Sequence, residues 1–170
     1  QIDVVEGNLD RLLIRNGSLN ESAEVQGSIG KVVVRDGDIY GDISAQESIG
    51  KISVKKGLLS STIRSEDSIN KIAALNIIDA EVSVLNSINR IIVGQDMVDS
   101  SIIIGYTEAL QNQHGLHATL PINVFLKNLK VKGAFIGSNV AVGVAPDSDG
   151  NFLNGFAATS EGTIGRIVLN

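Results

Sequence analysis

The feature that most constrains this fold is an internal repeat with a period of about twenty residues. The tetrapeptide Ser-Ile-Gly-Lys, or a close variant of it, begins at residues 28, 48, 68, 87 and 163. A weaker copy, Asn-Leu-Asp-Arg, begins at residue 8. A unit this short cannot bury a core by itself, because it exposes both of its flanks. Successive copies are therefore expected to stack and share one continuous interior.

Apolar residues within each copy have the spacing of strands. Val32 and Val34 are two residues apart, as are Ile43 and Ala45, which is the period of a strand with one buried face. A third apolar column lies between these pairs, at Leu19, Ile39, Leu59, Ile78 and Val98. Gly, Asn, Asp and Ser separate the apolar positions, as turns require. Each copy is therefore predicted to contain three short strands.

These strands predict an all-β fold, a right-handed parallel β-helix solenoid with roughly 20 residues per coil and about seven coils. Each strand would pair with its equivalent in the next copy, about 4.8 Å away, and parallel crossovers are almost always right-handed. A leucine-rich repeat is the main rival. It needs a Leu-x-Leu strand followed by Asn and a helical half, and neither recurs here. A β-sandwich would not keep one period through successive copies.

We expect a single β-helix domain over residues 1–170, interrupted by two irregular excursions. Its parts are regular coils over 8–105, an excursion over 106–123, an irregular coil over 124–143, an excursion over 144–162 and a last strand over 163–170. The chain begins with Gln1 rather than Met, so we expect it to be a fragment of a longer protein.

Composition excludes several classes of function. The chain has no cysteine, which excludes disulfide scaffolds, Cys-ligated metals and thiol catalysis. No apolar run reaches the ~18 residues of a membrane-spanning helix. The net charge of −5 argues against nucleic acid as a partner.

The repeat resembles a known group of proteins. Ser-Ile-Gly-Lys followed by alternating β-branched residues, together with the segment Ala-Val-Gly-Val-Ala-Pro-Asp-Ser-Asp-Gly at 141–150, is similar to the β-strand-repeat segments of large secreted bacterial surface proteins. This resemblance implies a secreted or cell-surface location and a structural or adhesive module. It implies no catalytic residues.

Basic residues recur at fixed positions of the repeat. One column, here named the basic ladder, consists of Arg11, Lys31, Lys51, Lys71, Arg90 and Arg166. A second basic column, four residues on, consists of Arg15, Arg35 and Lys55, and Lys127, Lys130 and Lys132 lie beside these columns in the irregular coil. One hypothesis is that an acidic polysaccharide binds along this face. The simpler alternative is solubility and edge protection, with counter-charges from loops or from neighbouring copies of the protein.

Two polar segments have some character of metal sites. Asp147 and Asp149 lie in an Asp-x-Asp-Gly segment, which suggests calcium, but the glutamate that an EF-hand supplies at its twelfth position is missing. A solvated turn explains the segment as well, so no cofactor is expected and calcium is the alternative. His114 and His117 have only Glu108 nearby in the sequence, too few ligands for a zinc site.

A polysaccharide lyase or hydrolase is the alternative function, because parallel β-helices host such enzymes. Asp36, Asp38 and Asp42 lie in one copy and could form a carboxylate cluster of the hydrolase type. The positions equivalent to Asp36 are Asn16, Lys56 and Asn76, which indicates turn solvation instead. The sequence thus favours a non-catalytic module.

Overall fold

The computed structural model of the protein describes residues 2–4, 6–105, 123–143 and 162–169. These residues form 18 β-strands and no helix. Sheet A contains, in spatial order, β1 (Ile2–Val4), β3 (Ala23–Val25), β5 (Ile43–Ala45), β8 (Thr62–Ser65), β11 (Glu81–Val84), β14 (Ser101–Ile104) and β17 (Asn139–Val142).

Sheet B forms the second seven-stranded face. It contains β2 (Leu9–Asn16), β4 (Ile29–Asp36), β6 (Ile49–Val54), β9 (Ser68–Ala74), β12 (Ser87–Val93), β15 (Val124–Val131) and β18 (Gly162–Leu169). Sheet C is the smallest and contains β7 (Leu58–Leu59), β10 (Asn76–Ile78), β13 (Met97–Val98) and β16 (Phe135–Ile136).

Every described strand pair is parallel and joins equivalent positions of successive copies. Ile29 of β4 pairs with Ile49 of β6, and Ser87 of β12 pairs with Phe125 of β15, although the first excursion separates those two strands in the sequence. The predicted all-β class and the parallel stacking of copies are therefore confirmed, and the pairing is consistent with a β-helix-like fold. Each sheet buries one face against the shared apolar core and leaves the other face outward, which explains why the Ile- and Val-rich columns lie on one face only.

The core is built from these columns. Val32, Ile52, Ile72, Ile91 and Leu129 follow one another in register across sheet B, and each is at most 1% exposed. Burial of one such side chain contributes about 1.5–3 kcal/mol. With few aromatics available, the stability of this core depends on stacked aliphatic side chains.

The third apolar column departs from the sequence prediction. Leu19, Ile39 and Leu59 lie in it as expected, but Leu59 pairs with Ile77 and Ile77 pairs with Met97. The prediction of Ile78 and Val98 as core residues was wrong by one position, since both are half-buried and face away from the core. The turn before Ile77 is two residues shorter than the turn before Leu59. Each of these two copies then has one extra residue with positive φ, Asp79 in the first and Asp99 in the second. This residue brings the following strand into register with its neighbours in sheet A.

A polar ladder lines the corner between sheets A and B. Asp67 accepts hydrogen bonds from Ser48 Oγ at 2.5 Å, from Asn86 Nδ2 at 2.7 Å and from Ser68 Oγ at 3.3 Å. Ser68 Oγ and Ser87 Oγ lie 3.0 Å apart, in hydrogen-bond contact. The Asp67 carboxylate thus joins three successive copies at this corner.

Replacing Asp67 with Asn should lower the free energy of unfolding by about 1–2 kcal/mol at pH 7, because hydrogen bonds to a charged acceptor are lost. The hydrogen bonds from Ser48 and Asn86 hold the pKa of Asp67 below its ordinary value of 3.8. A carboxyl with a lowered folded pKa stabilises the fold above its unfolded pKa, and this stabilisation disappears as the pH falls through the folded pKa.

The stability difference between wild type and Asp67→Asn should therefore be complete at pH 6 and shrink below about pH 4. Urea denaturation across this pH range measures it. The exposed neighbour Glu66, changed to Gln, is the matched control and should leave the free energy of unfolding almost unchanged at pH 6. A difference that grows as the pH falls would contradict the assignment.

Candidate anion-binding face

The basic ladder lies on the outer face of sheet B. Arg11 pairs with Lys31, Lys31 with Lys51, Lys51 with Lys71, and Lys71 with Arg90, each on neighbouring strands. Strands in a sheet are about 4.8 Å apart. Five cations of this ladder therefore stand in one row perpendicular to the strands.

The row is interrupted in the irregular coil. Asn128 takes the ladder position there, between Arg90 below and Arg166 above. Lys130 pairs with Ile92 and so lies in the adjacent column rather than in the ladder. Lys127 is exposed within β15, and Lys132 is exposed directly after the end of β15. The three lysines of β15 and its turn thus broaden the basic face without extending the ladder.

The second basic column flanks the ladder on the same sheet. Arg15 and Arg35 are the next-to-last residues of β2 and β4, and Lys55 directly follows β6. Between the two columns, Val33 is 9% exposed and lies outside the core cluster. Lys and Arg stems cover apolar surface while their charged ends stay in water, which accounts for the low exposure of an outward-facing valine.

The ladder has no counter-charge among the described residues. No carboxylate of those residues lies within 4.0 Å of a ladder nitrogen, whereas Lys56 Nζ lies 2.7 Å from Asp36 Oδ1 on a neighbouring turn. Like charges directly opposite each other on neighbouring strands are destabilising. The ladder cations therefore have no ion-pair partner among the described residues, in a protein whose net charge is −5.

The three aspartates proposed for hydrolysis hold turns. Asp36 pairs with Lys56, and Asp42 Oδ1 accepts the backbone N–H of Thr62 at 3.0 Å. Asp38 accepts the backbone N–H of Leu58 at 2.7 Å and the Tyr40 hydroxyl at 3.1 Å. That hydrogen bond to Asp38 raises the pKa of Tyr40. These interactions support the turn-solvation interpretation of the cluster.

The remaining sequence candidates lie elsewhere. Asp147, Asp149, His114 and His117 are outside the described residues. Over 2–4, 6–105, 123–143 and 162–169, no three His, Cys, Asp or Glu residues are grouped so that they could hold a metal ion.

The structure also brings together residues that the sequence argument missed. An open groove of about 420 Å³ runs beside the basic ladder, lined by Ser48, Ser68, Ser87, Asn70, Asn89 and Phe125. The recurrent Ser and Asn of the tetrapeptide were the available signal. The sequence pattern assigns these residues to turns only, because a surface groove depends on how copies stack.

In the part of the chain that the structure describes, no helix is long and apolar enough to cross a membrane. Comparison of the chain with protein families, with curated proteins and with solved structures gives no match.

Proposed function

We propose that this chain is a non-catalytic structural or adhesive module of a secreted or cell-surface bacterial protein, and that its basic ladder contacts anionic glycans. The finer architecture we propose is a right-handed parallel β-helix of roughly 20 residues per coil and about seven coils. The observation that carries the binding proposal is the row of five paired cations with no carboxylate of the described residues within 4.0 Å.

A row of this kind suits a linear polyanion. Neighbouring ladder charges are about 5 Å apart, inside the ~8 Å Debye length at physiological salt. Their fields add along the stack, so one flexible chain can contact several cations at once and gain by multivalency. Contacts of this type are weak per site and depend strongly on salt.

A scaffolding role fits the parallel stacking. The strands pair through continuous parallel sheets, and the core columns are fully buried at mid-stack. A stack that is held by strand pairing and by burial at its middle keeps the spacing of surface residues fixed. Such a scaffold presents a ladder at a constant repeat, which a flexible loop cannot do.

Neutralising the ladder tests this function. The variant Lys31→Gln/Lys51→Gln/Lys71→Gln should lose binding to polygalacturonate, a polymer of uronic acid, by at least tenfold at low salt. The wild type should bind longer polymers more tightly and lose affinity as salt is raised. Calorimetric titration with polymers of graded length measures both effects.

The matched control keeps the charge by changing the same three lysines to arginine, and it should bind as the wild type does. The glutamine variant should also be equally or slightly more stable, because repulsion between paired lysines is relieved. Equal binding by the glutamine variant and the wild type, or no binding of any anionic glycan by the wild type, would refute the ladder as a ligand site.

A further inference from the structure

The groove beside the basic ladder has the size and position of a ligand site. It is an open depression of about 420 Å³ that crosses the first residues of β6, β9, β12 and β15. Pockets for small ligands usually span about 300–1,000 Å³. Its floor includes Gly50, where a Cβ would collide with the carbonyl oxygen of Gly30.

Hydrogen-bonding groups of both kinds point to a polar ligand. Asn89 Nδ2 donates to Asn70 Oδ1 at 2.9 Å. This leaves the Asn70 amide group as a donor and Asn89 Oδ1 as an acceptor without partners among the described residues. Ser48 donates to Asp67, so its hydroxyl oxygen remains able to accept. Neighbouring hydroxyls of a sugar ring both donate and accept, and they match such a set.

An aromatic ring closes one end of the groove. Phe125 pairs with Ser87 below and with Thr163 above, so it occupies the column that carries serine in earlier copies. The side chain of Phe125 is 40% exposed. A phenyl ring offers a flat apolar surface, and the C–H face of a pyranose ring can stack on it.

Positive charge borders the same groove. Lys127 lines it, and Lys71 and Arg90 follow directly after the groove residues Asn70 and Asn89 in the chain. A ligand in the groove therefore meets hydroxyl-binding groups, an apolar plate and cations within one site. A simple polyanion would use only the cations.

We propose that this groove is a sugar-binding subsite, in which one or two pyranose rings of an acidic polysaccharide lie while their carboxylate or sulfate groups contact the basic ladder and Lys127. The inference rests on the proposed function of the ladder. It adds that the groove makes the protein select glycans over other polyanions. Asn70 and Asn89 bind ring hydroxyls, and Phe125 stacks on the ring.

The test compares four polymers on the wild-type chain and on single variants. Polygalacturonate carries carboxylates, dextran sulfate carries sulfates, polyphosphate carries charge without sugar, and dextran carries sugar without charge. The wild type should bind one or both charged glycans more tightly than polyphosphate of equal charge, and which glycan binds better identifies the anionic group. Dextran should bind at least tenfold more weakly than the preferred glycan.

Phe125→Ala should weaken glycan binding about tenfold and leave polyphosphate binding unchanged. Asn89→Ala is a second variant, on a different strand, and should give a loss in the same direction. Tyr40→Ala is the matched control, because Tyr40 is an exposed aromatic residue outside sheet B. Thermal melting of each variant verifies that it is folded.

The outcomes separate the two proposals. If Phe125→Ala and Asn89→Ala bind glycans as the wild type does, or if polyphosphate binds as tightly as the glycans, the groove inference is wrong while the ladder proposal stands. If the wild type binds no charged polymer, the proposed function is wrong as well.

Discussion

Replacing Ile52 with Asp should abolish cooperative folding. Ile52 is fully buried and lies in register between Val32 and Ile72, themselves fully buried. An aspartate there would place an unpaired charge among stacked aliphatic side chains, at a cost of about 4–5 kcal/mol or more. A cost of this size approaches the whole stability of an ordinary domain, about 5–15 kcal/mol. Circular dichroism during thermal unfolding should show no cooperative transition.

The chain offers a control within the same column. Ile167 pairs above Leu129 on β18, the outermost strand of sheet B, and is 42% exposed. Ile167→Asp should therefore lower the melting temperature by only a few degrees. If the Ile52→Asp variant melts at the same temperature as the wild type, the column is not buried. Equal losses for both variants would show that burial does not increase toward the middle of the stack.

The second large effect concerns the close approach of turns in successive copies. Gly17 and Gly37 occupy equivalent positions, and both have positive φ, at 103° and 152°. A Cβ at Gly17 would meet nothing within 4 Å, whereas a Cβ at Gly37 would collide with the carbonyl oxygen of Gly17. Gly17→Ala should cost about 1–2 kcal/mol from backbone strain alone. Gly37→Ala should cost about 1–3 kcal/mol more, because the stacked backbones must separate.

Urea denaturation of the two glycine variants measures this difference directly. The pair is matched in residue type, in the sign of φ and in repeat position, so the difference reports the stacking contact. A Gly37→Ala variant as stable as Gly17→Ala would mean that the turns of these two copies do not approach each other as closely as described.

Most of sheet B could be predicted from the sequence, because its columns obey strict rules. The step from Ile29 to Ile49 to Ile69 repeats without insertion, and these equivalent positions are all buried. The pairing of Lys31 with Lys51 and Lys71 follows from the same spacing. Local pattern and long-range pairing agree here, so periodicity alone gives the register.

Sheet C could not be predicted to the same accuracy. Its strands are two or three residues long, too short for alternation to distinguish Ile77 from Ile78. The length of the turn decides which of the two isoleucines is buried. The turn before Ile77 is shorter than in earlier copies, and an extra residue after it, Asp79 with positive φ, partly makes up the difference. A residue count that assumes one constant step between copies cannot detect a deletion and an insertion that nearly cancel.

The candidate site was predictable in its charges and not in its shape. The basic ladder repeats in the sequence, whereas the groove depends on Phe125 pairing with Ser87, from which the first excursion separates it in the chain. Asn128 interrupts the ladder for the same reason, since Lys127 and Lys130 flank the ladder position without occupying it. The register of the irregular coil is set by tertiary pairing rather than by the tetrapeptide.

Distances between spin labels on the basic ladder test the central claim most directly. The chain has no cysteine, so single cysteine pairs can be labelled without further changes. Arg11 and Arg90 are four strand steps apart, and Arg11 and Arg166 are six steps apart. With about 4.8 Å per step, we expect separations of about 19 Å and about 29 Å between the labelled backbone positions. Double electron–electron resonance should show a distance that grows by about 10 Å from the first pair to the second; equal distances, or a longer distance for the first pair, would contradict a straight in-register ladder.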